Sequence, residues 1–350
     1  MNISSNGASQ PDASPASIAD GLKKITPRGY RKRGLLRQLP CLLVAAAMLP
    51  GLADACSTCG CSLNSDWSSQ GYATSSGFHL SVREDYFDQS NLVAGQDHVS
   101  QSSFTFPTEN EVQQKTVNHT TLLGLDYSFS RYWGITAQLP YTDRLHETIA
   151  AGDTTISTSD KRGAGDLRLL ARYQGFSDDA SIGLQFGLKF PTGTFKQDFA
   201  SGPQAGQLLD RGLQLGTGTT DALIGIYKYG YLSESVGYFT QAMAQVALDA
   251  RDQFRPANSL NLNFGVRYLD AGSFTPQLQI NVHSERRESG AQADVFNSGA
   301  TIAYISPGLS VKVTRRLDVF AFIQVPIYQR VNGLQLEPRQ LWSAGAQYRL

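Results

Sequence analysis

The run Asn258-Ser-Leu-Asn-Leu-Asn-Phe-Gly-Val-Arg-Tyr-Leu269, then Asp270-Ala-Gly272, then Ser273-Phe-Thr-Pro-Gln-Leu-Gln-Ile-Asn-Val-His-Ser-Glu285 decides the fold. Leu260, Leu262, Phe264, Val266 and Tyr268 recur every second residue, as do Leu278, Ile280 and Val282. Asn261, Asn263 and Arg267, with Gln277, Gln279, Asn281 and His283, occupy the alternate positions. A period of two is the signature of β-strands with one apolar and one polar face. The three residues between them make a tight hairpin.

Working outward, the same pattern fills residues 77–350. Strands are expected near 77–88, 115–129, 133–142, 164–175, 180–192, 219–231, 236–249, 258–269, 273–285, 298–313, 317–330 and 338–350. Tight connections fall at Ser130-Arg131-Tyr132, Ser177-Asp178-Asp179, Ser233-Glu234-Ser235, Asp270-Ala271-Gly272 and Thr314-Arg315-Arg316. Longer ones are expected near 89–114, 143–163, 193–218, 250–257, 286–297 and 331–337. Short turns at one end and longer loops at the other are the habit of outer-membrane barrels. A soluble sandwich alternates equally well. The membrane reading is favoured by runs of spanning length and by aromatics near strand ends: Tyr132, Trp133, Tyr141, Tyr173, Phe190, Tyr231, Trp342 and Tyr348. The fold class expected is therefore all-β: a transmembrane antiparallel β-barrel of about twelve strands, with short periplasmic turns, longer extracellular loops and both termini periplasmic. Pro307-Gly308 is expected to mark a bulge. Pro140, Pro191 and Pro326 are expected near outer strand ends, because proline cannot donate to the ladder.

Residues 1–55 read as an N-terminal extension and secretory signal peptide. The basic cluster Lys23, Lys24, Arg28, Arg31, Lys32, Arg33 and Arg37 precedes an apolar run from Leu39 to Met48 and the small-residue site Ala53-Asp54-Ala55. The full chain has no net charge; removing this leader takes away seven basic and three acidic residues and leaves −4. That argues against nucleic acid as a partner, which needs a basic face. Cleavage after Ala55 makes Cys56 the first mature residue, so lipidation there is a second reading.

Residues 56–76 form a Cys-containing segment expected to be a periplasmic lead-in, or alternatively to plug the lumen. Cys56, Cys59 and Cys61 make a C-x-x-C-x-C cluster. Three thiols suit a soft ion such as Cu(I) or Zn, or redox chemistry in an oxidising periplasm. They do not supply a complete four-ligand set, and a local disulfide is the plainer alternative. No cofactor is required otherwise. The inward face offers Asp166, Arg168, Arg172, Arg267, His283, Lys312, Arg316 and Asp318 as pore-lining candidates that would select solutes by charge; pairing inside a filled lumen is the alternative. No established catalytic motif occurs, so an enzyme is not expected. His119, His146 and His283 lack a nucleophile partner in sequence.

Gly163-Ala-Gly-Asp-Leu-Arg-Leu-Leu-Ala-Arg-Tyr173, Gly183-Leu-Gln-Phe-Gly-Leu-Lys-Phe-Pro-Thr-Gly193 and Arg316-Leu-Asp-Val-Phe-Ala-Phe-Ile-Gln-Val-Pro326 resemble the outer-membrane barrel family named for the meta-pathway of phenol degradation. The end of the chain, with Trp342, Ala344, Ala346, Tyr348 and Leu350 on one face, resembles the C-terminal assembly signal of bacterial barrels, with Leu350 in place of Phe. The resemblance implies a channel or transporter for small hydrophobic or aromatic solutes, with outer-membrane lipid and the assembly machinery as partners. It carries over no catalytic residues. A barrel handling metal or redox chemistry at its Cys segment, and an outer-membrane lipid-modifying enzyme, are the competing readings.

Overall fold

The computed structural model describes residues 63–66, 69–71 and 76–350. Its strands are β1 (Gly77–Ala94), β2 (Asp97–Val99), β3 (Val112–Ser128), β4 (Trp133–Ile149), β5 (Ser157–Ala164), β6 (Leu167–Tyr173), β7 (Ile182–Phe190), β8 (Asp221–Ser233), β9 (Val236–Ala247), β10 (Ser259–Tyr268), β11 (Phe274–Glu285), β12 (Ala300–Lys312), β13 (Leu317–Val331) and β14 (Leu334–Arg349). Twelve of them form one antiparallel ring, closed where β1 pairs β14 from His79↔Arg349 upward. The two extra strands are rim elements. β2 folds back on β1, and β5 pairs the far half of β4.

The faces are inverted relative to a soluble protein. On β10 the outward residues Leu260 and Phe264 are 40% and 46% exposed, while the polar inward residues Asn263 and Arg267 are each 5% exposed. On β11 Leu278 and Ile280 lie outside, and Gln279 and Asn281 are fully buried. Burial of amides with exposure of leucines is stable only where the surroundings are lipid and the interior holds hydrogen-bond partners. A one-residue slip would carry Arg168 and Arg172 to the lipid face, at about 2–4 kcal/mol each near the midplane. Phe78, Tyr127, Phe129, Trp133 and Tyr173 gather at the short-turn end, with Phe78 stacked on Tyr127 at 4.3 Å and Trp133 against Tyr173 at 4.7 Å. Such a girdle suits a membrane interface.

Several expectations are corrected. The loop expected over 143–163 is mostly strand: β4 runs on to Ile149 and returns as β5. Pro140 therefore lies inside β4, opposite Leu122, and not at its end. The connection expected at 331–337 is the two-residue turn Asn332-Gly333, with Gly333 at φ +53°. Pro307-Gly308 makes no bulge, because β11 and β12 stay in register through both residues. Gly308 is needed instead because a Cβ there would fall 2.0 Å from the Phe322 ring. The real irregularity is at Ile327, beside Pro326, where the β12–β13 register shifts. From Pro326 upward, β13 pairs only with β12 and β14 only with β1.

Candidate functional site

The interior of the ring is the site. Residues 63–66 and 69–71 lie inside it, as the alternative to a periplasmic lead-in has it. Arg83 on β1 donates through Nη1 to the Leu63 carbonyl (3.4 Å) and to Ser65 Oγ. Gln185 on β7 donates to Asp66 Oδ2 at 2.6 Å, and Gln279 on β11 to the Asn64 carbonyl at 3.2 Å. Leu63 packs on Phe320 and Phe322 of β13. Gly71, at φ +82°, lies so close to the Tyr229 ring of β8 that a Cβ would come within 2.5 Å of it. These partners sit on opposite sides of the ring, so the segment crosses the lumen as a plug. Within it, Gln70 Nε2 donates to the Asn64 carbonyl (2.6 Å) and Asn64 Nδ2 to Ser69 Oγ (3.0 Å).

The wall around the plug carries charges in matched sets. At the short-turn end Asp126 accepts from Thr136 Oγ1 (2.7 Å) and meets Arg172 at 3.4 Å; His79 lies 3.6 Å away. Arg172 also donates to Ser128 Oγ at 2.6 Å. Higher up, Lys189 bridges Asp166 (3.2 Å) and Asp221 (2.8 Å) and bonds Thr217 Oγ1. Asp166 accepts from the Gly193 and Thr217 amides, both at 3.0 Å. Arg83 meets Asp85 at 2.8 Å, and Asp85 accepts from Ser343 Oγ at 2.6 Å. Buried charges that are paired and hydrogen-bonded escape the large penalty of isolation.

Of the eight charged candidates, Asp166, Arg168, Arg172 and Arg267 cluster on the interior side. Asp166 stands in the short link between β5 and β6. Arg267 is buried against Gly237, whose missing side chain makes room for the guanidinium. His283 Nδ1 bonds Asn261 Oδ1 (2.7 Å) and its Nε2 lies 3.3 Å from Glu285. Asp318 accepts from Arg349 (3.0 Å) beside Lys312 at the short-turn end. Arg316 is a correction: it lies in the exposed turn between β12 and β13, not on a strand face. The sequence reading missed Arg83 and Lys189 and offered the plug only as an alternative to a periplasmic lead-in. Lys189 was visible in principle, standing between the outward Leu188 and Phe190. Cys56, Cys59 and Cys61 lie outside the described residues. Among the described residues no group of three His, Cys, Asp or Glu side chains is arranged to hold a metal. His146 meets Thr116 at 2.8 Å and His119 stacks on Tyr86 at 4.6 Å; neither joins a serine and an acid.

At the long-loop end, residues 191–220 fold over the mouth. Arg144, facing inward from β4, donates to the Leu213 carbonyl at 2.7 Å. Phe199, Leu209 and Leu213 are buried there. Arg211 stacks between Phe195 (4.8 Å) and Phe254 (4.7 Å) and donates to the Thr217 carbonyl. Glu111, just before β3, feels the charges of Asp210 in this segment and of Asp294 in the β11–β12 loop. Burial, with repulsion from Asp210, pushes the Glu111 carboxyl up to about 7, although a bond from Thr148 (2.6 Å) opposes this. Burial, with repulsion from Asp294, pushes Asp210 up to about 6.

No family model and no curated protein match the sequence. Solved structures do resemble it. The COG4313 outer membrane channel from Pseudomonas putida F1 superposes with a TM-score of 0.59 at 13% identity, over 79% of this chain and 96% of that one. The TodX monoaromatic hydrocarbon channel (deltaS2 mutant) gives 0.47 at 11% identity, over 79% and 90%. The β domain of the Bordetella autotransporter BrkA gives 0.46 at 15%, over 78% and 100%. At these identities the first likeness is one of fold, and the chain has the architecture of an outer-membrane β-barrel.

Proposed function

We propose that the protein is an outer-membrane channel for small solutes, closed at rest by residues 63–71 and opened by their displacement. One observation carries this reading: the polar interior of a lipid-facing barrel holds residues 63–66 and 69–71, which side chains of the wall bind by hydrogen bonds. Barrels of eight strands are filled by their own side chains, and those of sixteen or more leave a wide channel. Twelve strands leave space that a short peptide can close. The short turns then face the periplasm, the 191–220 loop faces outward, and the plug enters from the periplasmic side. The lining supports small polar and amphipathic solutes over purely hydrophobic ones, because apolar residues cover only part of it.

Planar-bilayer recording with the purified protein tests this. Wild type is expected to open rarely, and Arg83→Ala, which removes two anchors of the plug, to open more often. Absence of current from both, together with no solute flux in liposomes, would sink the channel reading.

A further inference from the structure

Among the described residues, Arg168 is an inward cation of the lumen wall that joins none of the ion pairs above. Arg168 faces inward from β6, between Gln138 of β4 and Lys189 of β7 on the ladder. Its nearest acids are Asp166 and Asp221, and both are committed to Lys189 and to other donors. Arg168 itself makes no hydrogen bond or ion pair with any described residue, and its side chain remains open to water. It lines a cavity of about 160 Å³ beside the plug.

The remaining walls of that cavity are of two kinds. Leu122, Leu170, Leu223 and Met243 form an apolar strip, and amides such as Gln138 and Asn261 line it elsewhere. Two glycines keep the strip open. Gly187 stands on the ladder between Leu170 and Leu223, and a Cβ at Gly225 would meet Met243 Cε at 2.7 Å. A dry cavity of about 150 Å³ is known to hold benzene, so this space is of one-ring size. A guanidinium presents a planar fork that matches a carboxylate. The plug brings its own carboxylate, Asp66, to the same cavity.

From these placements we propose that the cavity is a binding site for a small organic carboxylate, with the carboxylate on Arg168 and a one-ring or short-chain body against Leu122, Leu170, Leu223 and Met243. This deepens the channel reading and rests on it for its role in transport. Such a solute competes with Asp66 for the cavity's cations, Arg168 and Arg83, so binding and release of the plug are coupled. Inorganic phosphate would satisfy Arg168 but leave the apolar strip unused.

Calorimetry on the whole protein in detergent, with benzoate, benzyl alcohol and inorganic phosphate as probes, tests the site. Benzoate is expected to bind best, and Arg168→Met to weaken it by about tenfold or more. Arg168→Lys should fall between, because it keeps charge and loses the fork. Met243→Trp, which fills the cavity, should weaken benzoate without touching a charge, and it serves if Arg168→Met does not fold. Arg162→Gln, which removes a cation from the outer rim, should change nothing. Equal benzoate affinity in wild type, Arg168→Met and Met243→Trp, or phosphate binding as tightly as benzoate, would overturn the proposal. Bilayer recording separates the two readings. Arg168-dependent binding without any current defeats the channel and keeps the site. Current without Arg168-dependent binding defeats the site and keeps the channel.

Discussion

Two segments close the same lumen, and they are held by different forces. Residues 63–66 and 69–71 are tied to the wall by Arg83, Gln185 and Gln279, and among these described residues Leu63 is the buried hydrophobic anchor. Residues 191–220 bury Phe199, Leu209 and Leu213, stack Arg211 between two rings, and share backbone bonds such as Leu209 to Gln197 at 2.9 Å. Hydrogen bonds exchange readily for water at about 0.5–1.5 kcal/mol net each. Buried apolar side chains do not, at about 1.5–3 kcal/mol each. On the proposed channel reading, this difference assigns motion to the plug and leaves the outer loop fixed.

The contrast can be broken from either side. The largest effect is expected at the loop: Leu213→Ala should cost about 2–5 kcal/mol of local packing. Limited proteolysis should then cut within 193–218 much faster than in wild type, with plug gating unchanged. Next is Arg83→Ala, which removes a charge-assisted anchor worth about 1.5–3 kcal/mol. It should raise the open fraction in bilayers while leaving the loop as protected as before. Gln279→Ala removes one neutral bond to the plug, so about 0.5–1.5 kcal/mol, and should give a smaller rise in the same recording. If Leu213→Ala opened the channel as strongly as Arg83→Ala, the division of labour would be wrong.

The smallest expected effect comes from pH, and it concerns the loop. Glu111 and Asp210 titrate in the folded protein near 7 and 6, above their ordinary values of 4.5 and 3.8. A raised carboxyl favours the fold in its protonated form. Its contribution is complete below about pH 4 and is lost as pH rises through about 6 to 7. Protection factors for hydrogen exchange in residues 193–218, which remove the intrinsic pH dependence of exchange, should therefore be higher at pH 5 than at pH 8. Glu111→Gln with Asp210→Asn should flatten that dependence. Lower protection at pH 5 than at pH 8 in wild type would contradict the assigned direction.

Much of the barrel was legible because lipid and lumen impose opposite chemistry on alternate residues. Leu260 to Tyr268 and Gln277 to His283 carry that signal without interruption. It fades where a strand leaves the membrane. Thr142-Asp143-Arg144-Leu145-His146-Glu147 is polar on both faces, so it reads as loop, yet it is paired strand. Asn332-Gly333 is a strong turn signal, but Leu334 to Pro338 beyond it breaks the alternation and hid the start of β14. The plug could be offered only as an alternative, because a short polar peptide has no period to detect. Arg168 stood out as an inward charge, but that it pairs with no described residue depends on residues 21 and 53 positions further along, Lys189 and Asp221. Such pairings exist only once the ring closes.

The central claim is that residues 63–71 shut the channel. Asp66 and Gln185 touch at 2.6 Å, so Asp66→Cys with Gln185→Cys places two thiols face to face. With Cys56, Cys59 and Cys61 replaced by Ser, oxidation should tie the plug to β7. Single-channel recording should then show current abolished under oxidant and restored by reductant. Undiminished current through the cross-linked protein would contradict the account.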